Sequence, residues 1–416
     1  MFFTLLFKEG WGGLKIMKEE IKKILNAEIF NGRLTGKKEK IFLGVFVFVG
    51  VICAVVLVYW SYATNLYIAA AQASGDFSSE SILNHIKTKT RHKAEPIKVK
   101  GLYITAYSAS SAKKVQEIID LIKATELNAV VIDVKDYSGN VLYDSNLPLV
   151  NELDNEMVLI KNLSGLVEKF KKEKIYTIAR VSSFQDPKLA ESKPEWALKS
   201  KNGGLWRDRK GLAWVDANKK EVWDYIIDIA KEAGRAGFDE INFDYIRFPT
   251  DGNLENIAYT NGDRKKYEVI GEFYKYLSEK MAREPVYTSA DLFGLTTERK
   301  GEDDMNIGQR IIDAAKYFDY VCPMVYPSHY PPDYMGFSNP ADHPYEVVKN
   351  AMGKGIERTK GERAKLRTWI QYFNMGAIYD GEKVRAQIKA SDEVGADGWI
   401  LWNARNVYDG RGILKE

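Results

Sequence analysis

GFDEINFDYIRFPTD, residues 237–251, is the stretch whose reading decides the fold. Glu240, Asn242 and Asp244 alternate with Ile241, Phe243 and Tyr245, the period of a β-strand. One face of this strand is polar, yet its neighbours read as buried parallel sheet, so the polar face is expected to line a site and not to meet bulk water. Arg247, Phe248 and Pro249 follow, and Pro249 rules out further ladder pairing.

Outward from this strand, short β-branched or aromatic runs alternate with helical patterns from Val99 onward. The runs are GLYITAYSA (101–109), NAVVIDVKD (128–136), IYTIARVSS (175–183), EINFDYIRF (240–248), PVYTSADLF (285–293), DYVCPMVYP (319–327), KLRTWIQYF (365–373) and GWILWNARN (398–406). Segments such as AKKVQEIIDLIKATE and KKEVWDYIIDIAKEAGRAG between them carry apolar residues three and four apart. Eight strand-and-helix alternations predict an α/β fold of the (β/α)8 barrel type over residues 98–416. Helical cover for the last strand is thin. The third connection, 183–217, holds Trp196, Trp206 and Trp214, and the sixth holds His329, Tyr330, Tyr334 and Phe337; such loops build the active face of a barrel.

Upstream, residues 41–62, IFLGVFVFVGVICAVVLVYWSY, contain no charge and match the roughly 20 residues that span a bilayer as a helix. Tyr59, Trp60 and Tyr62 supply an interfacial belt. Lys37, Lys38 and Lys40 precede the run and no Lys or Arg follows until Lys87, so the positive-inside bias puts 1–40 in the cytoplasm as a basic tail and the barrel outside the cell membrane. A signal peptide is the competing reading, and the length of the apolar run and of the tail before it favours a retained single-pass anchor. Residues 63–97, rich in Ser, Ala, Lys and Thr, read as a linker.

Composition narrows the function. The 60 Lys and Arg against 57 Asp and Glu leave a net charge of +3 with no basic stripe, which argues against a nucleic-acid partner. Two cysteines and four histidines give little material for a disulfide framework, a metal site or a Ser-His-Asp triad, so no metal and no cofactor is expected. GxSxG, GxxxxGK[ST], GxGxxG and HExxH motifs are missing.

The C-terminal ends of the eight strands form a ring of candidates: Tyr107, Asp133, Lys135, Asp136, Arg180, Asp244, Arg247, Asp291, Tyr326, Gln371, Trp402 and Asn403. Carboxylates, arginines and aromatic platforms on one rim suit a carbohydrate, because sugar rings stack on aromatic faces and glycosidic cleavage needs two carboxyl groups in different protonation states. Each residue also has a structural reading. Asp244 and Arg247 would close the rim as an ion pair, Asp291 would cap a turn, Asp133 and Lys135 would pair on one strand face, and Trp402 would plug the barrel. Glu240 sits at the stability end of its strand.

GFDEINFDYIRFP, GLAWVDANKKEVWDYIIDIAKEA, GLYITAYSA with NAVVIDVKDYSGNV, and GWILWNA fall in order over residues 98–416 and together resemble a largely uncharacterised bacterial family of TIM-barrel proteins classed as glycoside hydrolases. The resemblance implies that Asp244, in DYIRFP, is the nucleophile or charge stabiliser. Asp291, in SADLFG, is then the candidate acid/base, with Asp133 as the reserve carboxylate. Substrate contacts are expected from Asp133, Lys135, Arg180, Trp206, Arg247, Tyr326, Gln371 and Trp402. The expected substrate is a polysaccharide or cell-wall glycan. A non-catalytic glycan-binding barrel and an envelope scaffold protein are the alternatives; the first is separated from a hydrolase by whether a second carboxyl lies within reach of Asp244.

Overall fold

The computed structural model describes residues 93–415. The expected membrane helix at 41–62, the tail at 1–40 and nearly all of the linker at 63–97 lie outside the described residues. Among the described residues no helix is long and apolar enough to cross a membrane.

Eight parallel strands close on themselves: β1 (Val99–Ile104), β2 (Ala129–Lys135), β3 (Tyr176–Ser182), β4 (Glu240–Asp244), β5 (Tyr287–Phe293), β6 (Tyr320–Val325), β7 (Thr368–Gln371) and β8 (Gly398–Trp402). Each pairs with its successor, and β1 pairs with both β2 and β8, for example Gly101 with Ala129 and with Ile400. The barrel read from the sequence is therefore present. A covering helix follows each of the first seven strands: α1 (Ala112–Lys123), α2 (Leu163–Lys172), α3 (Lys220–Ala236), α4 (Lys266–Met281), α5 (Ile311–Ala315), α6 (Pro344–Arg358) and α7 (Gly381–Glu393), with short extra helices at Ala106–Ser110, Pro148–Glu152 and Pro187–Ser192 in the first three connections. No helix follows β8 among the described residues; the chain runs back to α1, where Glu126 N–H donates to Leu414 O and Ile413 is buried.

The period-two pattern sorts the core into two apolar clusters. Val99, Ala129, Val131, Tyr176, Ile178, Tyr320, Cys322, Trp369 and Ile400 fill the barrel interior. The alternate residues Leu102, Val130, Ile132, Val134, Val181, Ile241, Phe243 and Leu401 pack outward against the helices. Those helices begin where side chains satisfy the free amides of the first turn: Ser111 accepts from Lys114 N–H, Asn162 from Gly165 N–H and Asp380 from Lys383 N–H.

At the N-terminal mouth, Glu240 and Arg367 form an ion pair in which neither is exposed (3.0 Å); Tyr176 donates to Glu240 and the Arg367 guanidinium lies 4.1 Å from the Tyr320 ring. Ala94 and Ile97 pack beneath this layer.

At the opposite mouth the loops are elaborated. Val141–Tyr143 and Glu156–Ile160 extend the sheet beyond β2. Lys199–Ser200 from the third connection pairs with Ile257–Ala258 from the fourth, tying two rim loops together. One expectation is corrected here: the fourth run does not continue as a strand to Phe248. β4 stops at Asp244 because Tyr245 takes a left-handed φ of 54°, which breaks the ladder and re-aims the chain.

Candidate active site

The polar face of β4 points into the barrel and is divided by depth. Glu240 meets Arg367 at the bottom, Asn242 donates to Asp291 in the middle, and Asp244 reaches the open rim. At the rim these strand ends converge on Arg180 of β3. Its Nη1 donates to Asp133 Oδ1 of β2 (2.7 Å), its Nη2 to Asp244 Oδ2, and its Nε lies 3.7 Å from Asp291 Oδ2 of β5. The guanidinium sits among the rings of Tyr103 and Trp402, whose planes stack with centroids 4.1 Å apart.

The three carboxyl groups differ in their surroundings. Asp244 Oδ1 accepts the Tyr245 amide (2.5 Å), a bond that the left-handed turn at Tyr245 makes possible. Asp291 Oδ1 accepts from Trp369 Nε1 (2.7 Å) and Asn242 Nδ2 (2.8 Å), so a proton on this group belongs on Oδ2, the oxygen that faces Arg180. Burial, and then the charge of Asp244, hold the Asp291 carboxyl well above the usual carboxylate range, with Arg180 and the two donors opposing. Burial raises Asp133 too, against Arg180 and the Tyr103 hydroxyl that donates to it. Burial opposes the charge of Arg180, but Asp133 and Asp244 outweigh it and keep the guanidinium protonated. Arg180 Nε and Asn242 Oδ1 are buried without hydrogen-bond partners.

Above this cluster lies a cavity of about 130 Å³ lined by Arg180, Asp244, Tyr245, Arg247, Asp291, Phe293, Met324, Tyr326, Trp369 and Trp402. Asp244 and Asp291 both lie within 4 Å of one guanidinium, so their nearest oxygens are within about 9 Å of each other, no farther apart than the widest spacing used by paired-carboxylate glycosidases. A larger hollow, about 390 Å³, opens on the barrel flank beside Trp196, Asp224 and Tyr225. Glu221, Asp224 and Asp228 line it beside Leu147, Pro148, Leu149 and Val150, and no barrel strand contributes to its wall.

A family model described as "Putative glycosyl hydrolase domain" matches residues 101–408. The chain belongs to that glycosyl hydrolase domain family. A hypothetical protein from Ruminiclostridium thermocellum is 42% identical over 46% of this chain and 96% of its own, with a TM-score of 0.43. The PgaB (BpsB) glycoside hydrolase domain from Bordetella bronchiseptica is 14% identical over 74% of this chain and 94% of its own; its TM-score of 0.55 supports the shared barrel. No curated protein matches significantly.

Within this glycosyl hydrolase domain, Asp244, Asp291, Arg180, Arg247, Tyr326 and Trp402 all line the rim cavity. Asp133 lies one step back, bound to Arg180 and Tyr103. Lys135 does not line the cavity. A register shift after Asp133 turns it into a fully buried pair with Asp186 (2.8 Å), and it also donates to Ser182 O. Trp206 is buried in the third connection, donating to Asn253 O (2.8 Å), and so braces two rim loops. Gln371 is buried, donating to Phe373 O and accepting from Ser328 N–H. Tyr107 stands exposed outside the cavity, Asp136 closes its own turn by accepting from Ser138, and Asn403 donates to Tyr372 O.

The simple ion pairs considered from sequence are re-partnered: Asp244 bonds Arg180 and not Arg247, and Asp133 bonds Arg180 and not Lys135. Trp369, Tyr103, Tyr245, Phe293 and Met324 were not expected around the cavity or its carboxylates. Trp369 stands two positions before Gln371 on β7 and two after Arg367, so it shares their face, and counting inward positions from either would have found it.

Proposed function

We propose that this protein is a membrane-anchored, extracytoplasmic glycoside hydrolase acting on a polysaccharide or cell-wall glycan. The observation that carries the reading is the pair of rim carboxyl groups sharing one guanidinium, one of which, Asp291, is pushed towards its protonated form. In the proposed reaction Asp291 Oδ2 gives its proton to the glycosidic oxygen as the bond to the anomeric carbon breaks. Asp244 attacks that carbon, or stabilises its positive charge, through an oxocarbenium-like transition state. In the first case the deprotonated Asp291 then takes a proton from a water that attacks the glycosyl ester, releasing the sugar and restoring both groups. Trp402, stacked on Tyr103, and Tyr326 are the sugar platforms, and Arg180 holds both carboxyl groups at the reacting centre.

The anchor reading rests on the uncharged run at 41–62 and the lysines that precede it. Digestion of cell-wall and polysaccharide preparations by the wild-type chain and by Asp244→Asn tests the hydrolase reading. Release of reducing ends by the first and not by the second is expected. Turnover unaffected by the substitution removes Asp244 from the mechanism, and glycan binding without turnover in either protein favours the non-catalytic glycan-binding alternative.

A further inference from the structure

Four Lys or Arg side chains are buried among the described residues: Lys135, Arg180, Arg247 and Arg367. Three of them have a carboxylate partner: Asp186 for Lys135, Asp133 and Asp244 for Arg180, and Glu240 for Arg367. Arg247 has none among the described residues, although it is 8% exposed and lines the rim cavity. A buried cation without a counter-ion is costly, and proteins rarely keep one unless it is used.

The surroundings of Arg247 hold it for such a use. Its guanidinium lies 5.0 Å from the Trp214 ring, 5.2 Å from Tyr245 and 5.0 Å from Phe293. These rings offset part of the desolvation by cation–π attraction and fix the plane of the fork. Nη1 donates to Phe248 O (3.1 Å) and Thr250 Oγ1 (3.4 Å), while Nε and Nη2 have no bond among the described residues and are not sealed off from solvent. Asp244, Asp251 and Asp208 are near enough to favour the charge, but none comes within ion-pair distance. Asp251 instead accepts from the Arg209 amide, and Asp208 from Trp214 Nε1. What remains is a planar two-donor edge on a side chain that lines the cavity.

From this geometry we infer that the glycan carries an oxyanion, a carboxylate or a phosphate on the sugar seated in the rim cavity, and that Arg247 binds it. This rests on the glycan reading above and adds the charge of the substrate. A neutral sugar would leave the Arg247 edge unpaired. An anionic sugar without Arg247 would be left with Arg180, whose charge Asp133 and Asp244 already share. The arginine thus acts as a selectivity element: it admits one class of glycan and gives a neutral chain of the same linkage no comparable partner.

The test uses the full chain in detergent and direct binding to immobilised glycans, so that turnover is not needed. The probes are matched pairs: oligogalacturonate and oligoglucuronate with their carboxyl-reduced counterparts, and glycosyl-phosphate wall polymers with their dephosphorylated counterparts. Wild type is expected to hold the acidic member of one pair type at least about tenfold more tightly, the effect of one charge-assisted donor pair. The pair type that shows the preference tells a carboxylate from a phosphate. In Arg247→Gln the acidic-to-neutral ratio should fall to near one, and Arg247→Lys should recover part of it. Thermal unfolding of both variants within a few degrees of wild type separates lost recognition from lost folding, and if Arg247→Gln fails to fold, the Arg247→Lys ratio decides. Equal binding of acidic and neutral members, or a preference that survives Arg247→Gln, overturns this inference while leaving the glycan reading standing. Absence of binding to every member overturns both.

Discussion

Replacing Arg180 by Met keeps most of the buried stem and removes the charge that Asp133 and Asp244 share. All three groups are at least nine-tenths buried, so the loss is that of breaking a buried ion pair, about 3–5 kcal/mol near neutral pH. For a domain of this size that is roughly 2 °C per kcal/mol, or a fall of about 6–10 °C in Tm. The pH dependence makes the prediction specific. Asp133 and Asp291 are already held above the ordinary carboxylate range in the folded state, and Arg180 opposes that rise for both. A carboxyl group whose folded pKa is raised binds its proton more tightly in the folded than in the unfolded chain. Its cost is therefore absent below the unfolded value of about 3.9 and grows as pH climbs through the folded value. Without Arg180 both groups rise further and the cost at alkaline pH deepens. Thermal unfolding followed by circular dichroism at pH 5 and pH 8 should show a gap between variant and wild type that is clearly larger at pH 8. Equal gaps at the two pH values, or a shift below about 2 °C at both, would refute the view that one guanidinium holds these carboxyl groups together.

Other consequences are open to direct measurement. Gly398 has φ 106°, and a Cβ there would lie 1.9 Å from Val99 O, so Gly398→Ala should lower stability by at least about 2 kcal/mol, read as a falling Tm or a loss of soluble protein. Lys135→Met leaves Asp186 charged and unpaired in a fully buried position and should cost about 3–5 kcal/mol. The glycan affinity of the folded fraction should stay within about twofold; a larger loss of affinity at undiminished Tm would return Lys135 to the binding surface. Protease added to intact cells should remove the barrel and spare the tail before residue 41; protection of the barrel with loss of the tail would reverse the proposed topology.

The barrel was legible because its information is periodic. Strand alternation in runs such as NAVVIDVKD and helical spacing in AKKVQEIIDLIK report burial on one face at a time, and burial is what the sheet and helices satisfy. The depth of each polar residue along GFDEINFDYIRFP was legible for the same reason. What the sequence could not carry is side-chain pairing across strands. Arg180 was expected to touch substrate, but its position between Asp133, Asp244 and Asp291 depends on how four strands are staggered. Lys135 left the rim through a register shift of one residue after Asp133, which no local pattern announces. Arg247 reached the cavity although it is an odd number of residues beyond Asp244, because the left-handed turn at Tyr245 ends the strand alternation. Trp369 was overlooked for a different reason: the last polar residue of β7, Gln371, drew attention from the aromatic two positions before it, which holds Asp291 in place.

The central claim is a division of labour, Asp291 as proton donor and Asp244 as nucleophile or charge stabiliser. Once digestion has identified the sugar, the most direct measurement compares kcat/KM of wild type, Asp291→Asn and Asp244→Asn on the natural glycan and on an aryl glycoside of that sugar whose phenol leaves without protonation. Loss of the acid should cost Asp291→Asn about 10²- to 10⁴-fold on the glycan and far less on the activated aryl glycoside. Loss of Asp244 should abolish turnover of both substrates. Equal losses on the two substrates for Asp291→Asn, or an Asp244→Asn enzyme that still turns over the aryl glycoside, would contradict it.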